Sequence, residues 1–230
     1  LRGHGDSQWS MGGSYTMPEY AYDIAHLVDQ KYMAPVTILS HSLGGMISLQ
    51  YAGLYPDKVK SIIAIEGLGA SPLMMAKSAG KSINEKLIGW ADELRKVSGR
   101  TPRRYASLEN AFKRMQDENP HLSENQARHL TVHGANQNED GTYSWKFDNY
   151  VRIFRPYGLS PEEIRHLWSR ITCPTLLIRG TESWASDPIE DGRFNSFQNA
   201  DVASIDGAGH WAHHDRLDVF LDLVRSHLAK

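Results

Sequence analysis

The sequence predicts an α/β fold built on a mostly parallel sheet, on three observations. Four short apolar runs, Val36 to Leu39, Ser61 to Ile65, Thr175 to Ile178 and Val202 to Ile205, read as strands. They are continuous rather than alternating, as strands covered on both faces are. Between them lie segments of helical period. Finally, one strand stops at Ser40-His41-Ser42-Leu43-Gly44-Gly45, where a serine stands among small residues before a helical pattern. That arrangement is a strand-turn-helix elbow, whose crowded turn admits only small neighbours.

In chain order, Gly3, Gly5, Gly12 and Gly13 mark residues 1–15 as loop. Thr16-x-x-Glu19 with Pro18 then predicts a helix start, and Ala21, Ile24, Ala25 and Val28 form its apolar stripe. After the elbow, Met46, Ile47, Leu49, Tyr51 and Leu54 predict a helix buried on most sides, closed by Tyr55-Pro56-Asp57. The next strand ends at Glu66-Gly67.

Ser160-Pro161-Glu162-Glu163 opens another helix, which leads to the strand closed by Gly180. Asp187-Pro188 predicts a further helix, and Asp215 to Leu228 a final amphipathic one. Between about 70 and 158 the alternation breaks. Helical patterns around Ile83 to Leu94 and Ser107 to Glu118, a capping box at Ser123-x-x-Gln126 and a turn at Asp140-Gly141 take its place. The expected division is therefore a core of 1–69 and 159–230 with an inserted helical cap of 70–158.

A chain of 230 residues with 40% hydrophobic and 23% charged content can bury a sizeable core. A formal net charge of −2 offers no electrostatic footprint for nucleic acid, and no apolar run approaches the roughly 20 residues that span a bilayer. Neither partner is expected. Cys173 is the only cysteine, so no intrachain disulfide can form and a reducing, cytoplasmic compartment is expected. The start at Leu1-Arg2-Gly3 reads as mid-domain, which leaves room for a preceding targeting segment.

A serine hydroxyl is a weak nucleophile that needs a base within hydrogen-bond reach, and the base needs a carboxylate to stabilise its charged form. Among eleven histidines, His210 is the candidate base, because Gly207-Ala208-Gly209-His210-Trp211 puts it on a glycine-rich loop just after the last strand. Ser42 is the candidate nucleophile. The Leu43 N–H, at the start of the elbow helix, is a candidate oxyanion donor. His213 and His214 invite a metal reading, but no cysteine or carboxylate cluster accompanies them, and no metal or organic cofactor is expected. Arg100, Arg103 and Arg104 are read as solvated or paired cap arginines rather than an anion site.

These motifs together resemble the α/β-hydrolase fold superfamily. Arg2-Gly3-His4-Gly5-Asp6-Ser7 resembles the loop after its fourth strand, Ser40 to Gly44 its elbow, Pro174 to Gly180 the strand before its usual acid, and Gly207 to Trp211 its histidine loop. The chain most resembles capped serine-hydrolase-like bacterial members. The resemblance implies that strands equivalent to 5 to 8 are present and that the N-terminal part of the sheet is missing. It also implies a loop donor for the oxyanion that this chain does not encode, and either a fragment or an exposed sheet edge.

The acid departs from the family pattern. Its usual place is occupied by Ser183, and serine cannot stabilise an imidazolium. Some members carry the acid after the sixth strand, where Glu66 stands, and burying a glutamate there without a partner is costly. Glu66 is therefore the first choice, with Glu182 and Asp187 as alternatives. The expected activity is cleavage of an ester, or a related carbon-heteroatom or carbon-carbon bond, of a small, partly apolar substrate through an acyl-enzyme. His41, Trp145, Trp184 and Trp211 are candidate pocket residues. The alternative is a non-catalytic ligand-binding or interaction protein on the same scaffold.

Overall fold

A computed structural model describes all residues except 12, 14, 154 and 157, and all side chains of the remainder except those of 78 and 79. In chain order the elements are α1 (Met17–Gln30), β1 (Val36–His41), α2 (Leu43–Leu54), β2 (Val59–Ile65), α3 (Pro72–Ala79), α4 (Ile83–Ser98), α5 (Leu108–Glu118) and α6 (Glu124–Gly134). There follow β3 (Ala135–Gln137), β4 (Tyr143–Trp145), α7 (Pro161–Ser169), β5 (Thr175–Gly180), β6 (Ala200–Ile205), α8 (Ala212–Asp215) and α9 (Leu217–Leu228). The chain forms two compact units, one of Met17–Lys81 with Tyr157–Lys230 and one of Leu1–Thr16 with Ser82–Pro156.

The first unit carries a parallel four-stranded sheet of order β1-β2-β5-β6. Alternate residues of β2 explain its unbroken apolar run. Ile62 and Ala64 join Leu177 in a core with Ala25 and Val28 of α1, Leu49, Tyr51 and Ala52 of α2, and Trp168 of α7. Ile63 and Ile65 point the other way, with Leu176, Ile178 and Ile205, onto Phe220 and Val224 of α9. Both faces are covered, so period-2 alternation has no polar face to show. β1 lies at one edge of this sheet, and its Leu39 is 51% exposed.

Helix starts follow the sequence signals. Ser123 and Ser160 cap α6 and α7 through reciprocal boxes with Gln126 and Glu163, and Ser82 with Glu85 does the same for α4. Two expectations are corrected. Asp187-Pro188 opens no α-helix: Asp187 Oδ1 accepts the Ile189 N–H, a single turn returns Asp191 N–H to the Asp187 carbonyl, and Gly192 at φ 79° breaks the progression. The final helix starts at Leu217 rather than Asp215, because Arg216 at φ −137° separates it from the short α8.

The second unit holds α4 to α6 and the antiparallel pair β3–β4, joined through the turn at Gly141 (φ 81°). Within it Tyr15 donates to Asp148 Oδ2 at 2.6 Å, and His4 bridges Phe147. Residues 1–16 thus group with 82–156.

Candidate active site

The site lies at the carboxyl ends of adjacent strands of the first unit. Ser42 N–H donates to the Ile65 carbonyl at 2.8 Å, and Glu66 N–H donates to the Ile178 carbonyl at 2.8 Å. Each bond continues the sheet ladder one step beyond the strand end. Ser42 and Glu66 are therefore fixed side by side in the register that pairs His41 with Ile65 and Ile65 with Ile178. Both have left-handed backbone, with φ 52° at Ser42 and φ 50° at Glu66. Non-glycine residues rarely occupy that region, and the strain persists only where surrounding structure over-determines it.

That surrounding structure is close backbone packing. A Cβ on Gly45 would stand 2.5 Å from Cα of Gly67, so the elbow helix and the loop carrying Glu66 meet backbone to backbone. On the other side, a Cβ on Gly180 would stand 2.2 Å from the Ala208 carbonyl oxygen, which seats the histidine loop against the end of β5. Gly209 N–H donates to Asp215 Oδ2 at 2.8 Å and fastens the same loop to α8. Ser40, where the family pattern has glycine, fits without strain: its hydroxyl meets Ser48 Oγ at 2.6 Å.

These elements bring three of the expected residues together. His210 Nε2 lies 3.0 Å from Ser42 Oγ, and His210 Nδ1 lies 3.5 Å from Glu66 Oε2. The second distance exceeds an ordinary hydrogen bond. Glu66 is buried, and its carboxylate is held from elsewhere. Oε1 accepts the Gly180 N–H at 2.7 Å and Oε2 accepts the Ser183 hydroxyl at 2.8 Å. Leu43 begins α2, so its N–H belongs to the first turn, whose donors have no intrahelical acceptor and form the positive end of the helix dipole.

The alternative acids go elsewhere. Glu182 is exposed and makes its backbone bond to Ala208, while Asp187 pairs with Arg179 at 3.2 Å. Among the described residues neither carboxylate contacts His210. Of the pocket candidates, Trp184 is 58% exposed with its ring centroid 5.3 Å from that of His210. Trp211 stacks near His213 and lies 5.7 Å from the His41 ring. Trp145 belongs to the other unit, where its indole N–H donates to Tyr105 OH at 3.1 Å.

His41 and His213 are both pushed below the usual histidine range by burial, His213 to about 4 with neighbouring His41, His214 and His210 adding to the effect. Both are neutral near pH 7. No group of three or more metal-ligating side chains that could hold an ion occurs among the described residues. Nor is any described helix long and apolar enough to cross a membrane. Of the cap arginines, Arg104 pairs with Asp140 and Arg103 lies over the Tyr105 ring.

Three features escaped the sequence reading. Ser183 was visible only as a missing carboxylate, although a hydroxyl there could have suggested a donor to a relocated acid. Asp215 was read as a helix start, with nothing to mark it as an acceptor for the Gly209 N–H. Arg193 gave no signal: it is buried, pairs with Asp191 at 2.8 Å, and donates to the Leu68 and Gly69 carbonyls, tying the loop after Glu66 to the loop after β5.

A parallel sheet with a serine on a strand-turn-helix elbow and a histidine on a loop after the last strand is the arrangement of the α/β-hydrolase class. The chain belongs to the α/β-hydrolase fold family, whose sequence model matches residues 1–217. It is 23% identical over 199 residues to a serine hydrolase-like protein of Danio rerio, covering 85% of this chain and 56% of that protein. It is 25% identical over 238 residues to an sn-1-specific diacylglycerol lipase of Mus musculus, covering 99% of this chain and 69% of that one. The crystal structure of an E-2-(acetamidomethylene)succinate hydrolase superposes with a TM-score of 0.77 at 20% identity, over 100% of this chain and 79% of the other. The chain thus spans little more than half of the Danio rerio relative.

Proposed function

We propose that the protein is a serine hydrolase that cleaves a carboxylic ester of a small, partly apolar substrate through an acyl-enzyme on Ser42. The observation that carries this reading is the line from Ser42 Oγ to His210 Nε2 at 3.0 Å and from His210 Nδ1 to Glu66 Oε2 at 3.5 Å. The family membership and the hydrolase relatives support it.

In this reading, neutral His210 carries its proton on Nδ1, facing Glu66, and accepts the Ser42 proton at Nε2 as Oγ attacks the ester carbon. The negative charge that develops on the carbonyl oxygen is met by the Leu43 N–H, aided by the helix dipole. Collapse of the tetrahedral adduct breaks the bond to the alcohol oxygen, and His210 Nε2–H protonates it. Water then attacks the acyl-serine with His210 again accepting a proton, and the acid leaves as Ser42 Oγ recovers its hydrogen. Glu66 takes up no proton in this cycle. Its buried negative charge orients the ring and offsets the imidazolium.

Trp184 beside the His210 ring supplies an apolar face for the substrate. Glu66 is assigned the role that the family usually gives to an aspartate at the position of Ser183. We assign the catalytic residues to the part expected as core, residues 1–69 with 159–230, and keep 70–158 as the proposed helical cap. Hydrolysis of p-nitrophenyl esters by the wild-type protein, abolished in Ser42→Ala, tests the reading. A protein that binds such esters without turnover would be the non-catalytic alternative.

A further inference from the structure

We propose that His41 is a positioning residue that grips the main-chain carbonyl of His210 and thereby holds its imidazole within reach of Ser42. The inference rests on the serine-hydrolase reading above. His41 is the last residue of β1, directly before the nucleophile, and its Nε2 lies 2.8 Å from the His210 carbonyl oxygen. A carbonyl only accepts, so the ring must carry its hydrogen on Nε2.

The remaining anchors of the histidine loop lead away from the elbow. Glu182 N–H reaches the Ala208 carbonyl at 2.9 Å, and Gly209 N–H reaches Asp215 at 2.8 Å, so these tie the loop to the segment after β5 and to α8. Among the described residues, the His210 carbonyl has no donor other than His41. The nucleophile strand and the base loop are therefore joined by hydrogen bonds at two adjacent points, Ser42 Oγ to the His210 ring and His41 Nε2 to the His210 main chain. The first is broken and remade in every turnover. The second is uninvolved in proton transfer and keeps the loop in place while the first is open.

A packing role alone does not account for this arrangement. His41 is flanked by the rings of His210 at 4.8 Å, His213 at 4.7 Å and Trp211 at 5.7 Å, and an aromatic or aliphatic side chain would fill the same space. Such a side chain would leave the His210 carbonyl without its donor. That carbonyl is part-buried, and main-chain acceptors shielded from water are rarely left in that state, so the loop would shift toward another partner or solvent.

The test compares wild type, His41→Gln and His41→Leu on p-nitrophenyl butyrate and a fluorophosphonate probe. Glutamine keeps an N–H donor on a side chain of similar reach, whereas leucine keeps only the bulk. A displacement of about 1 Å at a reacting group costs on the order of a hundredfold. His41→Leu is therefore expected to lose about tenfold to a hundredfold in kcat and in labelling rate, with KM nearly unchanged, and His41→Gln to recover most of that loss. Equal kcat in His41→Leu and wild type would overturn the proposal, as would equal impairment of both variants.

Should His41→Leu fail to fold, nitrogen-15 NMR of the wild-type rings decides instead. The Nε2–H tautomer at His41 supports the grip, and the Nδ1–H tautomer refutes it. Absence of both turnover and labelling in the wild-type protein would remove the hydrolase reading itself and this inference with it.

Discussion

Ser183 Oγ donates to Glu66 Oε2 at 2.8 Å, so the residue standing where the family usually has its acid touches the carboxylate that faces the histidine. The carboxylate and the usual acid position thus meet at one place, reached from two neighbouring strands. With Oε1 accepting the Gly180 N–H, both oxygens of Glu66 accept a hydrogen bond from an uncharged donor.

Removal of that hydroxyl is expected to loosen the acid without removing it. Ser183→Ala should lower kcat about tenfold to a hundredfold, the equivalent of one hydrogen bond to a charged group. Ser183→Asp, placed beside an intact Glu66, should be worse, since two buried carboxylates in contact repel. In a Glu66→Gln background the order should invert, with Ser183→Asp restoring part of the lost rate. Steady-state kinetics on the four proteins checks this, and failure of the double variant to exceed Glu66→Gln would contradict it.

The acid assignment has its own test. Glu66→Gln keeps the shape but cannot stabilise the imidazolium, and a loss on the order of 10³ to 10⁴ in kcat is expected. Glu182→Gln and Asp187→Asn should stay within about threefold of wild type, because Glu182 is exposed and Asp187 faces Arg179. A large loss in Glu182→Gln with an active Glu66→Gln would reverse the assignment.

Close backbone packing makes a prediction about stability. Gly45→Ala would drive a Cβ to 2.5 Å from Cα of Gly67, a contact no side-chain rotation relieves. The expected cost is about 2 kcal/mol, or about 4 to 8 °C in Tm at this chain length. Gly44→Ala is the control, since its Cβ would meet only Cβ of Ser40 at 3.6 Å, and alanine is the better helix former. Thermal melts of the two variants should separate clearly.

Much of this was legible in the sequence, for physical reasons that differ from residue to residue. The runs at Ser61 to Ile65 and Thr175 to Ile178 could be read as strands because a strand covered on both faces is apolar throughout most of its length. Ser42 and His210 could be read because their small and glycine-rich neighbours carry the constraint locally. Glu66 was legible from its place at the end of a buried run. Its partners Gly180 and Ser183 were not, since they lie across the sheet and depend on the register between β2 and β5. The His41 contact with the His210 carbonyl was hidden for the same reason. Asp187-Pro188 misled because a good helix start says nothing about Gly192 a few residues on.

Acid should destabilise the fold in a defined window. His213, His41 and His227 all lie below the usual histidine value because burial disfavours their charged forms. The unfolded chain binds protons at these positions near pH 6.5, whereas the folded protein resists until lower pH, about 4 at His213. Between those values the unfolded state holds more protons, so stability is full above pH 6.5 and is lost as pH falls through about 4. Urea melts from pH 7.5 to 4.5 should show this decline, and His213→Phe should reduce its slope. An unchanged slope in that variant would contradict the prediction.

Activation of Ser42 by His210 is read by intact-mass spectrometry of fluorophosphonate-treated protein. One adduct, mapped to Ser42, is expected to form readily in wild type, to be absent in Ser42→Ala and to form far more slowly in His210→Ala. An adduct on another residue, or no adduct on a folded wild-type protein, would contradict it.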